Sequence, residues 1–160
     1  MNPQATVVGK IRAALEECAS HRLRLHGAWR EATGFSPLLT TGGTPLSETE
    51  VRTLDQLVFR FGRLQDALGW RLLPALMLSI GEWQRDQPFL DRLNRAEQLG
   101  MIPSATEWLK LREIRNQTTH VYPDQPEVVM AGLRLLVAHV PVLESVHEQM
   151  LSWYSHRDNP

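Results

Sequence analysis

The chain has 160 residues, of which 42% are hydrophobic and 22% are charged. This length and composition suit one folded domain over residues 1–160 and exclude a chain that is disordered throughout. The formal net charge of −1 excludes a global positive field, so any binding of nucleic acid depends on a local patch.

Helical periodicity begins at the N-terminus. Apolar residues recur at helical spacing and predict a first helix over Pro3–Ala32. The next segment, Thr33–Leu46, contains three glycines and two prolines, which predict a connecting loop. This loop lacks the Gly-Lys-Ser/Thr ending of a phosphate-binding loop, so it is not interpreted as a nucleotide site.

A capping box at Ser47 and Glu50 predicts the start of the second helix. Its apolar face continues to Ile80, and Pro74 is expected to kink it because proline cannot donate the backbone hydrogen bond of a helix interior. A short helix is predicted over Phe89–Leu99, where Gly100 ends it.

A second capping box, at Ser104 and Glu107, predicts the start of a further helix. Its candidate core positions are Trp108, Leu111 and Ile114, and the Tyr122-Pro123 pair ends it. The last helix is predicted from about Gln125 to Tyr154, with a bend at Pro141. The fold class is therefore all-α, an up-down bundle of four long helices and one short helix.

Two features bear on the compartment. No stretch approaches about 18 uninterrupted apolar residues, and the first residues lack the basic region and apolar run of a signal peptide. Cys18 is the only cysteine, which excludes an intrachain disulfide, and it is expected to be a small buried hydrophobe. The chain is therefore expected to be cytoplasmic, without a membrane segment.

The most informative residues lie near the end of the predicted helix that starts at Ser104, just before Pro123. Arg115, Asn116, His120 and Tyr122 form the string R-N-x3-H-x-Y within about two helical turns. A helical continuation places Arg115 and Tyr122 on nearly the same face, with Asn116 beside His120. This face is polar, while the candidate core residues point elsewhere.

Arginine and histidine at this spacing suit metal-independent cleavage of RNA. The substrate supplies its own nucleophile, the 2′-OH. His120 is a candidate general base near neutral pH. Arg115 is a candidate hydrogen-bond donor to the phosphate as negative charge develops on it. Asn116 is a candidate either to fix the His120 tautomer or to bind phosphate. The product would be a 2′,3′-cyclic phosphate, and neither a metal nor another cofactor is expected.

Each of these residues also has a structural interpretation. An arginine on a helix is commonly a solvated charge or an ion-pair partner, here of Glu107 or Glu113. A histidine near a helix C-terminus complements the helix dipole. A tyrosine before proline commonly anchors a turn. The conjunction of the three residues at this spacing weakens these structural interpretations without removing them.

The string Arg115 to Tyr122 resembles the R-x4-6-H motif of HEPN domains in its R-x4-H-x-Y form. That form is similar to the HepT-like toxins of type VII pairs with minimal nucleotidyltransferase (MNT) antitoxins. The resemblance implies a HEPN-like bundle, a homodimer with two motifs facing across a cleft, and a metal-independent endoribonuclease. It also implies an MNT partner that neutralises the toxin by transferring AMP to the motif tyrosine, here Tyr122. The long Thr33–Leu46 segment departs from the shortest members.

The second helix offers supporting residues. Arg60, Arg63 and Asp66 stand at i, i+3 and i+6 and share a face. In proteins of the resembling family an acidic or polar residue on this helix often approaches the motif, which makes Asp66 a candidate to orient His120 or Arg115, with Arg63 beside it. The alternative is an intrahelical Arg63–Asp66 pair on a solvated face.

The remaining histidines do not predict a metal site. His21 and His26 are five residues apart, whereas two ligands on one helical face need a spacing of four.

Two further hypotheses stay open beside the ribonuclease toxin. One is a non-catalytic subunit that binds nucleotide or substrate for an MNT partner, and the other is a helical dimer whose motif only holds an interface.

Overall fold

A computed structural model describes residues 2–39, 45–119 and 126–158, and every described element is helical. The all-α prediction is therefore confirmed. The helices are α1 (Pro3–Ala32), α2 (Ser36–Leu39), α3 (Glu48–Asp66), α4 (Leu73–Ser79), α5 (Phe89–Gln98), α6 (Ala105–Thr119) and α7 (Pro126–Asp158). A π-helical turn, Ala67–Leu72, joins α3 to α4.

Several boundaries follow from local chemistry. Helix α1 has the predicted bounds, and Asn2 caps it by accepting from the backbone N–H of Gln4. Both bonds of the predicted capping box at Ser47 and Glu50 are present at the start of α3. The predicted loop Thr33–Leu46 was wrong in one respect, because its Ser36–Leu39 portion is the short helix α2; residues 40–44 lie outside the described residues.

The second long helix differs from the predicted continuous helix with a kink at Pro74. The backbone N–H of Leu73 bonds to the carbonyl of Leu68, five residues back, and Pro74 lies in the first turn of α4. Proline has no N–H to continue an α-helical ladder, so the ladder widens into a π turn immediately before it. The helical backbone thus continues past Pro74, with its side-chain register shifted after Asp66.

The buried side chains of α1, α3, α4, α6 and α7 meet in one hydrophobic core. Helix α1 packs along α3, the π turn, α4 and α7, while α6 packs on α3, α5 and α7. Trp108, Leu111 and Ile114 are buried as predicted, and so is Cys18. Burial also raises the pKa of the Cys18 thiol to about 12, so it acts as an apolar core group.

The last helix, α7, has a mixed character. Among the described residues, Pro126–Arg157 is the one helix long and apolar enough to cross a membrane, with a mean hydropathy of 1.5 over its best window, of which 28% is buried. Core helices of soluble bundles have a comparable length and apolar composition but are mostly buried, whereas most of this window is not. The absence of a membrane segment and the cytoplasmic location therefore stay predictions.

Helix α6 approaches α3 and the following π turn closely at two glycines. A Cβ on Gly62 would lie 3.2 Å from Nε of Arg115, and a Cβ on Gly69 would lie 2.7 Å from Cζ2 of Trp108. Both pairs are seven residues apart on their helices and pair in reverse order, so the two elements run antiparallel. Because glycine has no Cβ, the Trp108 ring lies directly against the π turn.

A partly buried polar network joins α1 to α7. Arg22 donates from Nε to Glu144 at 3.0 Å and also pairs with Glu148. His26 Nδ1 lies 3.1 Å from both carboxylate oxygens of Glu144. His147 Nδ1 lies 3.4 Å from Nη1 of Arg22, and burial followed by this cation lowers the pKa of His147 to about 4.

We predict that Gly69→Ala destabilises the fold by about 1–3 kcal/mol, because the added methyl group overlaps the buried Trp108 ring. The matched control is Gly27→Ala, since Gly27 is helical and exposed and has no neighbour within 4 Å of an added Cβ. That control should gain about 0.5–1 kcal/mol. Urea unfolding measures both, and equal effects would contradict the close approach.

A second prediction concerns pH. His147 has a folded-state pKa below its unfolded value, so its stabilising contribution is complete above about pH 6.5 and is lost as pH falls toward 4. Between about pH 7.5 and about pH 5 the wild type should lose about 2 kcal/mol more unfolding free energy than His147→Gln. His139→Gln, at a less buried site on the same helix, is the control for replacing a histidine of α7. Parallel curves for wild type and His147→Gln would refute this role.

Candidate functional site

Arg115 lies near the C-terminal end of α6, one residue after the buried Ile114. This position puts its stem at the edge of the core, and its guanidinium reaches across to α3. Nη2 of Arg115 donates to Oδ2 of Asp66 at 3.0 Å, and Nη1 donates to Oδ1. The pair is therefore bidentate, the geometry that best matches a guanidinium to a carboxylate.

The structure decides between the alternatives for Asp66. It brings Asp66 to Arg115 on another helix, so an Arg63–Asp66 pair within α3 is not formed. It also shows that Glu107 and Glu113 were the wrong candidate partners of Arg115, since α6 places Glu113 against Gln117 instead. Thus the candidate supporting residue and the motif arginine occupy one site.

The Arg115–Asp66 pair is neither fully buried nor freely solvated. The side chains are 33% and 32% exposed, respectively. A guanidinium has five N–H donors, of which Asp66 takes two. Asp66 leaves the other three N–H donors available. The orientation of the guanidinium is fixed by the Asp66 carboxylate and by Gly62, against which it lies. This fixed orientation is what a phosphate-binding arginine needs.

A groove of about 660 Å³ opens beside the pair, between α3, the end of α6 and the start of α7. One part of its wall is polar and contains Asp55, Arg63, Asp66 and Arg115 with two threonines. The rest is apolar, formed by Leu46, Val51, Leu54, Val58, Phe59, Val129 and Leu133, with Gly62 between the two parts. The site thus combines charged donors with an apolar floor.

The last described turn of α6 carries the beginning of the motif. Asn116 is exposed on the surface beyond Arg115. The hydroxyls of Thr118 and Thr119 donate to the carbonyl of Arg115 at 2.9 Å and 2.8 Å, which satisfies a carbonyl near the helix end. His120 and Tyr122 lie outside the described residues, so their proposed roles stay predictions.

The two other arginines of the predicted α3 face have separate surroundings. Nη1 of Arg60 donates to Nδ1 of His21 at 2.8 Å, which requires neutral His21 with its proton on Nε2. Burial and Arg60 together lower the pKa of His21. Arg63 is exposed at the groove, and no described residue forms an ion pair with it.

Sequence reasoning missed three contributors to this site. Two of them are Asp55 and Phe59, which precede Arg63 by eight and four residues and therefore share one face of α3 with it. This helical spacing is the sequence signal that could have identified them. Gly62 gave no signal, because its role depends on which helix packs against it. Across the described ranges, no group of three His, Cys, Asp or Glu side chains is placed to hold a metal ion.

We predict that Arg115 and Asp66 couple only weakly in stability, because a pair one-third exposed is screened by solvent. A double-mutant cycle with Arg115→Gln and Asp66→Asn should give a coupling energy of about 1 kcal/mol or less, decreasing with salt. The reference cycle is the exposed Arg52–Glu48 pair of α3. A salt-independent coupling several times larger would identify the pair as a structural staple rather than a site.

No family model matches the chain, and neither a curated protein nor a solved structure matches it. The side chains of this groove and the R-x4-H-x-Y string that begins at Arg115 therefore carry the functional interpretation.

Proposed function

We propose that the chain is a HepT-like HEPN toxin, a metal-independent endoribonuclease that acts with an MNT antitoxin. The observation that carries the proposal is the placement of Arg115, the first residue of the R-x4-H-x-Y string. It lies in the wall of an open groove, held bidentately by Asp66. The helical architecture is compatible with the HEPN-like bundle that the sequence resemblance implies.

In the proposed reaction His120 takes the proton of the 2′-OH, and the freed oxygen attacks the adjacent phosphorus. The P–O5′ bond breaks and the leaving 5′-oxygen takes up a proton from water, leaving a 2′,3′-cyclic phosphate on one fragment and a 5′-OH on the other, while the protonated His120 returns its proton to solvent. Arg115 uses the N–H donors that Asp66 leaves open to stabilise the charge that builds on the phosphate. Asp66 acts as a positioning residue, and Asn116 binds phosphate or orients His120.

Regulation follows from the position of Tyr122, seven residues after Arg115. Transfer of AMP from the MNT partner to the Tyr122 hydroxyl would add bulk and negative charge next to the motif. Such a group competes with the RNA phosphate for Arg115 and repels it. Neutralisation would then act by occupying the phosphate site.

A homodimer is part of the proposal. On α7, Val128, Ala131, Leu135, Ala138 and Val142 repeat at alternating spacings of three and four, the pattern of a helix-pairing seam. The first four of these residues are exposed. The stripe begins next to Val129, which lines the groove, so a second copy packed along α7 would bring its own groove close by.

A non-catalytic subunit that binds nucleotide for an MNT partner is the second candidate. The observation in its favour is that Asp66 already compensates the charge of Arg115. Under this alternative calorimetry detects nucleotide binding while RNA stays intact. The interface-only hypothesis predicts that Arg115, 33% exposed in the single chain, and His120 become buried in salt bridges between two copies of the chain.

We predict that His120→Ala lowers the rate of RNA cleavage by about 10²–10⁴-fold, the range that general-base catalysis contributes. Arg115→Gln should lower it by about 10²–10³-fold through lost charge stabilisation. Purified dimer is incubated with single-stranded RNA in a chelator, and the fragment ends are analysed for cyclic phosphate. Gln117→Ala, an exposed neighbour on α6, is the control and should cleave normally. Undiminished cleavage by His120→Ala would exclude the mechanism.

A further inference from the structure

One face of α3 is exposed along the groove and carries three chemically different side chains. Asp55, Phe59 and Arg63 follow each other at intervals of four residues, about 6 Å along the helix axis. All three are exposed, and all three line the groove that contains Arg115. The order along α3 is a carboxylate, an aromatic ring and a guanidinium.

Phe59 is not explained by core packing. Its side chain is 56% exposed, although neighbouring Val58 packs against the core. The guanidinium carbon of Arg60 lies 5.2 Å from the Phe59 ring centroid, and Arg60 is itself fixed by its hydrogen bond to His21. An exposed ring with a cation over it at the edge of a groove is the arrangement that binds a stacked planar group.

Arg63 supplies the positive charge that the rest of the groove lacks. The charge of Arg115 is compensated by Asp66, whereas Arg63 pairs with no acidic side chain of the described residues. It lies one helical turn beyond Phe59, on the side toward Asp66 and Arg115. A phosphate bound by Arg63 would therefore lie between the aromatic ring and the proposed reaction centre.

We propose that this face of α3 is a subsite for one nucleotide of single-stranded RNA. The base stacks on Phe59, the adjoining phosphate binds Arg63, and the strand then leads to Arg115. Asp55 stands one turn before Phe59, where its carboxylate accepts a hydrogen bond from the exocyclic amino group of the base. The subsite rests on the proposed function, because it presents to Arg115 the strand that is to be cleaved.

The subsite implies a base preference. Adenine, cytosine and guanine carry an exocyclic amino group, whereas uracil carries none. The acidic Asp55 also repels a phosphate, so it orients the nucleotide with its base toward the N-terminal end of α3 and its phosphate toward Arg63. Oligo-A and oligo-C should therefore bind more tightly than oligo-U.

The test uses fluorescently labelled single-stranded oligonucleotides with 2′-O-methyl ribose, which cannot be cleaved through the 2′-OH. Fluorescence anisotropy at several salt concentrations gives the affinity of full-length protein. Phe59→Leu should weaken binding of oligo-A by about 5- to 100-fold, the size of one lost stacking contact, while Phe59→Trp retains it. Trp70→Leu is the matched control, because Trp70 is 57% exposed but lies outside this groove.

Two further variants separate the roles within the subsite. Arg63→Gln should reduce the slope of log affinity against log salt by about 0.7, the value for one phosphate contact on a single strand, and Arg63→Lys should keep it. Asp55→Asn should change the preference among oligo-A, oligo-C and oligo-U. Arg12→Gln, an exposed arginine of α1, should leave both properties unchanged.

The outcomes distinguish this proposal from the ribonuclease proposal. If the wild type cleaves RNA and Phe59→Leu binds the uncleavable oligonucleotide normally, the subsite is refuted and the ribonuclease stands. If binding depends on Phe59 and Arg63 but no RNA is cleaved, the subsite stands and the ribonuclease fails. Failure of the wild type to bind, equal losses in Trp70→Leu, or weakened self-association without altered RNA binding in Phe59→Leu would each overturn the subsite.

Discussion

The close antiparallel approach of α3 and α6 is the constraint on which the rest of the site depends. Gly62 and Gly69 remove two side chains from α3 and the π turn, and Arg115 and Trp108 occupy the space. Trp108 is thereby buried on the core side of α6. The Arg115 side chain packs against Gly62 and donates from both terminal nitrogens to Asp66. Packing of the core and orientation of the candidate catalytic arginine thus have one common cause.

The π turn determines how this approach continues along the chain. A proline in the middle of a long helix removes one backbone donor, and here the chain responds by forming a π turn before Pro74 rather than by ending the helix. The turn places Gly69 against Trp108 and leaves Trp70 stacked on Phe89 at the surface. The π turn that precedes Pro74 therefore provides the surface on which Trp108 of α6 and Phe89 of α5 pack.

The arginines of this lysine-poor chain fall into distinct physical roles. Arg22 holds α7 to α1 through Glu144, away from the groove, and adds to the burial that lowers the pKa of His147. Arg60 is fixed by a neutral His21, and Arg115 by Asp66. Of the two arginines that line the groove, Arg63 has no acidic partner among the described residues, which leaves its charge available where the proposed RNA phosphate passes.

The sequence alone determined the all-α class, the extent of α1, the capping box of α3 and the buried face of α6, because these depend on spacings of three to five residues. It also singled out Arg115 and Asp66, yet it left open whether Asp66 would meet Arg63 or Arg115. Only the tertiary structure decided this, together with the groove, the role of Gly62 and the π turn. Asp66 and Arg115, 49 positions apart along the chain, meet only because their helices pack together. That packing depends on glycines, whose lack of a side chain allows close approach and which a pattern of apolar residues does not predict.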